Sequence, residues 1–190
     1  YVAYGRSYRL GTAGVGVPAN ISTDLIRTGD ERSDAVEVGL KTSLLDRRIT
    51  ANVSAFYQKY KGYIARIPFV YYDFGVRNAQ GAAVGSPDGV VDGVFPSGFN
   101  YNGDAKVRGV EATINARPTP NWDIMVGASY VRGRFDGARL PCNDFNGDGA
   151  PDTVGSPKIT GAGNVSYCAT DGRLAEIPDF NLTANTELRL

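Results

Sequence analysis

The stretch with the clearest potential for chemistry is PCNDFNGDGAPD, at residues 141–152. Its spacing follows the D-x-N-x-D-G pattern with which calcium loops place oxygen ligands around the ion. The predicted metal ligands are Asp144, Asn146, Asp148, Ala150 through its carbonyl, and Asp152. Gly155 stands where such loops carry a bidentate Glu. A calcium site and a metal-free turn rich in Asn, Asp and Gly therefore both remain open.

Two cysteines flank the aspartate-rich residues 143–152 and could join across them. Cys142 and Cys168 lie 26 positions apart in the same predicted loop. Outside the cytoplasm such a pair is best interpreted as a disulfide, and closing a loop of this size is worth about 3 kcal/mol in the chain-entropy model. The alternative is two unpaired buried thiols. Neither cysteine is expected to be catalytic, because the chain offers no histidine as its partner.

The composition excludes several classes of function. The 190 residues contain no His, which removes Ser-His and Cys-His catalysis and His-based zinc sites. The 20 basic and 20 acidic residues balance, and no run of Lys or Arg stands out along the chain, so neither nucleic acid nor anionic lipid is expected to be attracted. No apolar window is long enough for a transmembrane helix. No cofactor is required; calcium is the one possible ion.

The elements that must position these residues are β-strands. Apolar and polar residues alternate with period two in six segments, and long helical patterns are missing. The predicted strands are 1–9, 34–45, 48–66, 106–118, 122–135 and 179–190. We therefore predict an all-β fold, an antiparallel up-and-down meander.

The connections between these strands alternate in length. Short turns alternate with long loops at about 10–33, 67–104 and 137–177. In an up-and-down meander all long loops then lie at one end, which is typical of outer-membrane barrels. Trp122 and Tyr130 are eight residues apart on the apolar face, roughly 20 Å along the membrane normal, which suits two aromatic girdles. The sequence thus predicts about six strands of a larger transmembrane β-barrel.

Five short motifs, in order, also resemble a known family. They cover roughly the strand regions and not the loops, and they look like the C-terminal barrel region of TonB-dependent outer-membrane receptors. The motifs are Glu37-Gly39-Lys41, Asp46-Arg47-Arg48, Phe56-Tyr57-Tyr60, Arg108-Gly109-Glu111 and Ile177-Pro178-Phe180.

The resemblance implies a barrel of about 22 strands with a plugged lumen. Such receptors import ferric siderophores, cobalamin or glycans across the bacterial outer membrane, with energy delivered through TonB. This chain would supply part of the wall and three substrate-capturing extracellular loops. No plug domain is recognisable in the 190 residues, so we expect the chain to be a segment of a longer protein. Its expected partners are outer-membrane lipid, the TonB complex through that missing plug, and a small-molecule or glycan substrate.

Two other classes of function remain open at this point. A secreted calcium-binding β-sandwich, acting in adhesion or carbohydrate binding, would explain the aspartate-rich loop and the cysteines. It predicts that a second sheet covers the apolar face that carries Val110, Ile114, Ile124 and Val126. An outer-membrane enzyme is the third class, but the chain lacks an obvious catalytic base, and we expect no enzymatic activity.

Overall fold

The computed structural model describes residues 1–13, 21, 25–75, 79–80, 87–174 and 178–189. Ten strands make up its regular structure. They are β1 (Val2–Arg9), β2 (Glu31–Leu44), β3 (Ile49–Ile67), β4 (Val70–Tyr72), β5 (Gly93–Phe95), β6 (Phe99–Thr119), β7 (Trp122–Phe135), β8 (Ala138–Cys142), β9 (Ser166–Thr170) and β10 (Phe180–Leu188).

Six of these strands form one antiparallel sheet in the order β1-β2-β3-β6-β7-β10. Each long strand pairs with the next long strand along the chain, which confirms the all-β meander predicted from the alternation. The sheet does not close on itself: among the described residues, β1 and β10 are its two edges. It therefore has the form of a section of barrel wall.

Two of the observed strands begin earlier than the alternation predicted. β2 begins at Glu31 rather than Asp34, and β6 begins at Phe99 rather than Lys106. The loops expected at 10–33 and 67–104 are shorter by these residues, because polar positions such as Asn100 and Asn102 pair with β3 without following an apolar alternation. A bulge between Tyr60 and Tyr63 shifts this pairing.

The register separates an apolar face from a polar face. Val38 pairs with Ala55 and Leu40 with Val53, and both side chains of β2 are more than half exposed. On the other face Glu37 pairs with Phe56 and Lys41 with Asn52. The same separation continues across the sheet: its outward face carries Val36, Ala51, Val110, Ala112, Ile114, Val126, Ala128, Leu182 and Ala184, and its inward face Ser54, Glu111, Thr113, Asn115, Ser129, Asn181 and Asn185.

Short turns lie at one end of the sheet and long loops at the other. The turn after β2 holds Leu45, Asp46 and Arg47 with positive φ angles of 52°, 53° and 67°, and it closes with a hydrogen bond from the Arg48 amide to the Leu45 carbonyl of 3.0 Å. At the opposite end lie three loops: L1 (10–30), L2 (68–98, with hairpin β4–β5) and L3 (136–179, with hairpin β8–β9). Within the described residues, no helix is long and apolar enough to cross a bilayer.

Candidate functional site

The three long loops share one hydrophobic core at the open end of the sheet. L1 contributes Ile21 and Leu25, L2 contributes residues around the β4–β5 hairpin, and L3 contributes Val165, which is 1% exposed. The L2 residues and the start of β6 are Val70, Phe74, Phe95 and Phe99. The rings of Phe95 and Phe99 pack in a tilted arrangement with centroids 4.9 Å apart. Because each loop buries side chains of the others, we call this unit the cap.

Hydrogen bonds between backbone and side-chain amides join L2 to L3. The Asn143 side chain donates to the Phe69 carbonyl at 3.0 Å and accepts from the Tyr71 amide at 2.8 Å. Asn164 is buried and donates its side-chain amide to the Asp73 carbonyl at 2.7 Å, while the Asp73 amide donates to the Asn164 carbonyl. The bonds between Asn164 and Asp73 satisfy buried polar groups of both loops.

The β8–β9 hairpin folds over the inward face of the sheet. Its residues Ala138 and Leu140 pack on Ala105 and Phe135, with Tyr60, Tyr63, Tyr101 and Leu174 around them. An added Cβ at Gly103 would lie 3.0 Å from the Ala138 side chain, so the hairpin approaches the sheet closely there. The cap is therefore placed above the polar interior rather than above the outward face.

A disulfide joins the two strands of this hairpin. Cys142 and Cys168 are bonded in the structure, with Cα atoms 5.8 Å apart, and both are buried. The bridge encloses the aspartate-rich stretch. The hairpin is thereby held closed at the point where it covers the sheet.

The aspartate-rich stretch is organised by its own backbone. Asp144 is 3% exposed and accepts hydrogen bonds from the Gly147 amide at 2.7 Å and the Gly149 amide at 3.1 Å. The Asp152 carboxylate accepts from the Phe145 amide at 2.7 Å. Gly147 and Gly149 have φ angles of 82° and 79°, which favour glycine.

The predicted calcium ligands take part in hydrogen bonds within the turn. Within the described ranges, no group of three or more His, Cys, Asp or Glu side chains is arranged to hold a metal ion. Asp148 accepts from the Ala150 amide at 2.8 Å, and Asn146 donates its side-chain amide to Asp148 at 3.1 Å, so these residues bond along the turn. Calcium binding at Asp144, Asn146, Asp148, Ala150 and Asp152 stays a prediction.

A cavity of about 340 Å³ lies between the cap and the inward face of β3, β6 and β7. Its lining is mainly apolar and aromatic, with a few polar groups, which is the usual character of a small-molecule site. Residues around it include Ile67, Val70, Tyr101, Phe135, Leu140, Pro141, Asn143, Asp152, Cys168, Thr170, Arg173 and Leu174.

Tyr101 gives this cavity a neutral hydrogen-bonding group. A bilayer span takes about 9–11 strand residues, whereas β6 has 21, so Tyr101 near its start lies beyond the membrane segment. Burial raises the pKa of Tyr101 to about 12. The phenol therefore keeps its proton at physiological pH and can donate to a ligand.

The polar inward wall explains the glycines in the recognised motifs. The Tyr1 ring lies across Gly39, its hydroxyl donates to Glu37, and the Lys41 ammonium sits 5.5 Å from the ring centroid. Gly109 is covered in the same way: an added Cβ there would lie 2.7 Å from the Phe56 ring. In both places an aromatic ring from the neighbouring strand covers a glycine, so a side chain at that position would displace the ring.

The motif residues fall where a barrel wall needs them. Glu37, Lys41 and Glu111 lie on the inward face, Asp46 and Arg47 form a short turn, and Tyr57 lies on the outward face. Pro178 and Phe180 lead into β10, whereas Ile177 lies outside the described residues. Sequence reasoning did not find the shared core of the cap, because its residues follow no periodic pattern.

The apolar outward face distinguishes between the classes of fold considered from the sequence. In the described part of the chain, no second sheet covers it, and Val110 and Ile114 are 47% and 44% exposed. A β-sandwich would bury these side chains between its sheets. The sandwich interpretation is therefore wrong, and the sheet, its turns and its cap define a wall section of an outer-membrane type of β-barrel.

Comparison with known families agrees with this class. A family model described as TonB dependent receptor-like, beta-barrel, matches residues 1–188. The chain therefore belongs to the TonB-dependent receptor β-barrel family, as its motifs predicted. This is a family of outer-membrane receptors for transport in Gram-negative bacteria and not an enzyme family.

Proposed function

We propose that this chain forms part of the barrel wall and the substrate-capturing cap of an active transporter in the bacterial outer membrane. The observation that carries the proposal is the cap, whose three loops share one core and cover the polar inward face. Loops that hold together in this way present a fixed surface to an arriving molecule. Binding then costs less ordering of the loops.

The proposed substrate is a scarce nutrient of small-molecule or glycan type, namely a ferric siderophore, cobalamin or a glycan. The aromatic and apolar lining beneath the cap, with the Tyr101 hydroxyl and the Asn143 amide close by, offers stacking and hydrogen bonds to such molecules. The energy for import would come through TonB, contacted by a plug domain. No catalytic role is proposed for any residue of the chain.

Uptake by cells tests this proposal. We expect deletion of the complete gene to abolish growth on one of three limiting nutrients: a ferric siderophore, cobalamin or a glycan. The intact gene should restore growth, and it should fail to do so in cells without TonB. Unchanged growth on all three nutrients, together with no binding of them by the purified full-length protein, would contradict the proposal.

A pair of substitutions in L3 tests the role of the cap. Val165→Asp places an unpaired charge in the shared core, at a cost of several kcal/mol, whereas Val154→Asp adds the same charge at a site that is 87% exposed. We expect the first variant to lose at least about tenfold in substrate affinity and the second to bind normally. Binding is measured with the full-length receptor, after resistance of its barrel to unfolding in detergent has been checked. Equal affinity of the two variants for the substrate would show that the cap does not form part of the binding site.

A further inference from the structure

A belt of basic side chains runs across the outward face, just beyond the apolar band. Pairing of the strands brings together eight cations that are scattered along the sequence, with three carboxylates among them. The cations are Arg6, Arg32, Lys59, Lys61, Lys106, Arg108, Arg132 and Arg134, and the carboxylates are Asp34, Asp104 and Asp136. We call this set the basic belt. Its excess of positive charge contrasts with the zero net charge of the chain.

The belt lies at the height of the lipid headgroups. Tyr130 belongs to the outward aromatic girdle at the loop end of the apolar band, together with Tyr4, Tyr57 and Phe180. Arg132 follows Tyr130 by two residues on the same face, about 5 Å farther along the membrane normal. Arg108 is the direct partner of Arg132 on β6. Headgroup phosphates occupy this level of a bilayer.

Cations oppose cations on neighbouring strands of the belt. Arg108 pairs with Arg132, and Lys106 pairs with Arg134 on one side and with Lys59 on the other. Like charges directly opposite each other destabilise a sheet. An anion shared by these side chains would turn that repulsion into attraction.

Carboxylates of the belt pair with four of its cations, namely Arg6, Arg32, Lys61 and Lys106. Arg6 pairs with Asp34 at 2.6 Å, and Lys106 pairs with Asp136 at 2.6 Å. The hydrogen bond from Lys106 holds the pKa of Asp136, in the loop after β7, below its usual range, so that carboxylate stays charged.

In the described part of the chain, the three arginines beside Lys106 lack such partners. Among the described residues, no carboxylate lies within 4.0 Å of the guanidinium groups of Arg108, Arg132 and Arg134. The Nε atoms of Arg132 and Arg134 are buried without a hydrogen-bond partner. Buried donors of this kind are costly unless a ligand accepts from them.

These side chains line an outward groove of about 330 Å³, formed by Tyr57, Lys106, Arg108, Arg132 and Arg134. We propose that this groove binds the phosphate of an anionic lipid headgroup in the outer leaflet. Guanidinium groups bind phosphate oxygens through paired hydrogen bonds. The acyl chains of the same lipid would lie on the apolar band below, along Val110 and Ala112. A soluble phosphate has no such second contact, which favours a lipid as the occupant.

The proposal rests on the placement of the sheet in a membrane and not on which nutrient is imported. Its test is lipid binding by the full-length receptor in detergent micelles. The probes are diphosphoryl lipid A, the same lipid without phosphates, and inorganic phosphate. We expect the phosphorylated lipid to bind at least about tenfold more tightly than the dephosphorylated one, with no displacement by inorganic phosphate at the same concentration.

A matched pair of double variants locates the site. Arg132→Gln with Arg134→Gln should lose this preference, whereas Arg47→Gln with Arg48→Gln, which removes the same charge at the opposite end of the sheet, should keep it. Equal binding of the two lipids by the unaltered receptor would overturn the proposal, whatever the variants do. If inorganic phosphate displaced the lipid, the occupant of the groove would be a soluble anion. This result would also overturn the proposal. Substrate uptake is measured separately, so failure of lipid binding leaves the transport proposal intact.

Discussion

Side chains at the predicted calcium positions of the cap form hydrogen bonds with the backbone of their own turn. Asp144 has the spacing of a calcium ligand, yet its carboxylate accepts from Gly147 and Gly149 amides, and the Thr160 hydroxyl donates to it at 3.3 Å. A carboxylate that accepts several hydrogen bonds while buried fixes the turn that surrounds it. The pattern D-x-N-x-D-G alone cannot distinguish this use from metal binding, because both place oxygen atoms toward the inside of a tight turn.

We expect Asp144→Ala to destabilise the L3 turn by about 1–3 kcal/mol, since it removes a buried carboxylate that accepts from the Gly147 and Gly149 amides. Asp148→Ala is the matched control, because Asp148 is exposed and its amide partners can bond to water. Hydrogen exchange of residues 143–152 in the full-length receptor measures the difference. Equally fast exchange in the two variants would show that Asp144 does not organise the turn.

The same hydrogen-exchange experiment tests whether this stretch binds calcium. Protection of residues 143–152 that appears on addition of calcium, and is reversed by a chelator, would support the predicted site. It would also require the Asp144 carboxylate to exchange its amide hydrogen bonds for a cation, since both of its oxygens accept in the structure. Exchange that is the same with calcium and with chelator would leave the metal-free turn as the description of this stretch.

Strands and short turns were predictable from the sequence, whereas the contacts between elements were not. Alternation with period two identifies β1, β2, β3, β6, β7 and β10, because a barrel strand with lipid on one side and water on the other needs it. The short strands β4, β5, β8 and β9 have only three to five residues, too few for a pattern.

The basic belt shows most clearly what sequence reasoning misses. Lys59, Lys106 and Arg134 are far apart along the chain, and no local run of charged residues indicates that they belong together. The register of β3, β6 and β7 places them side by side. The expectation that nothing here attracts anionic lipid was drawn from charge clustering along the sequence, and such clustering does not detect charges that strand pairing brings together.

We expect loss of the disulfide to loosen the hairpin without opening the barrel. Cys142→Ser with Cys168→Ser removes about 3 kcal/mol of loop-closure stabilisation from L3, while the six-stranded sheet keeps its own ladder. Substrate affinity should fall, and hydrogen exchange over 138–170 should rise, while exchange in β2 and β3 stays as before. Treatment of the unaltered receptor with reductant is the control, and it should reproduce the effect. A variant that binds substrate normally would show that the closed hairpin is not needed for capture.

At the scale of the whole molecule, the sheet separates two environments across a single layer. Ile114 faces outward and Thr113 inward, one residue apart on β6 and near the middle of the apolar band. In the proposed membrane setting every second residue meets lipid, and the residues between them face a polar interior that carries Glu37, Lys41 and Glu111. The family match extends over both faces, since it covers residues 1–188.

Neighbouring substitutions on β6 measure this separation. Ile114→Lys should destabilise the full-length barrel by about 2–4 kcal/mol, because the charge lies in the hydrocarbon, while Thr113→Lys should change stability little. The free energy of unfolding of each variant is measured by urea titration in lipid vesicles. The fraction folded is read from the shift of the folded band in electrophoresis. Similar losses for the two variants would mean that the outward face does not meet lipid.

The shared core of the cap also limits how such a receptor can acquire a new specificity. Ile21, Val70 and Val165 belong to different loops but fill one space, so the shape of each is correct only in the presence of the other two. If L3 alone were replaced by the loop of a relative, its core side chain would not fit the space left by L1 and L2. A change of substrate would then require all three loops to be replaced together. Alternatively, one loop could be replaced if the buried residues of its two neighbours changed with it.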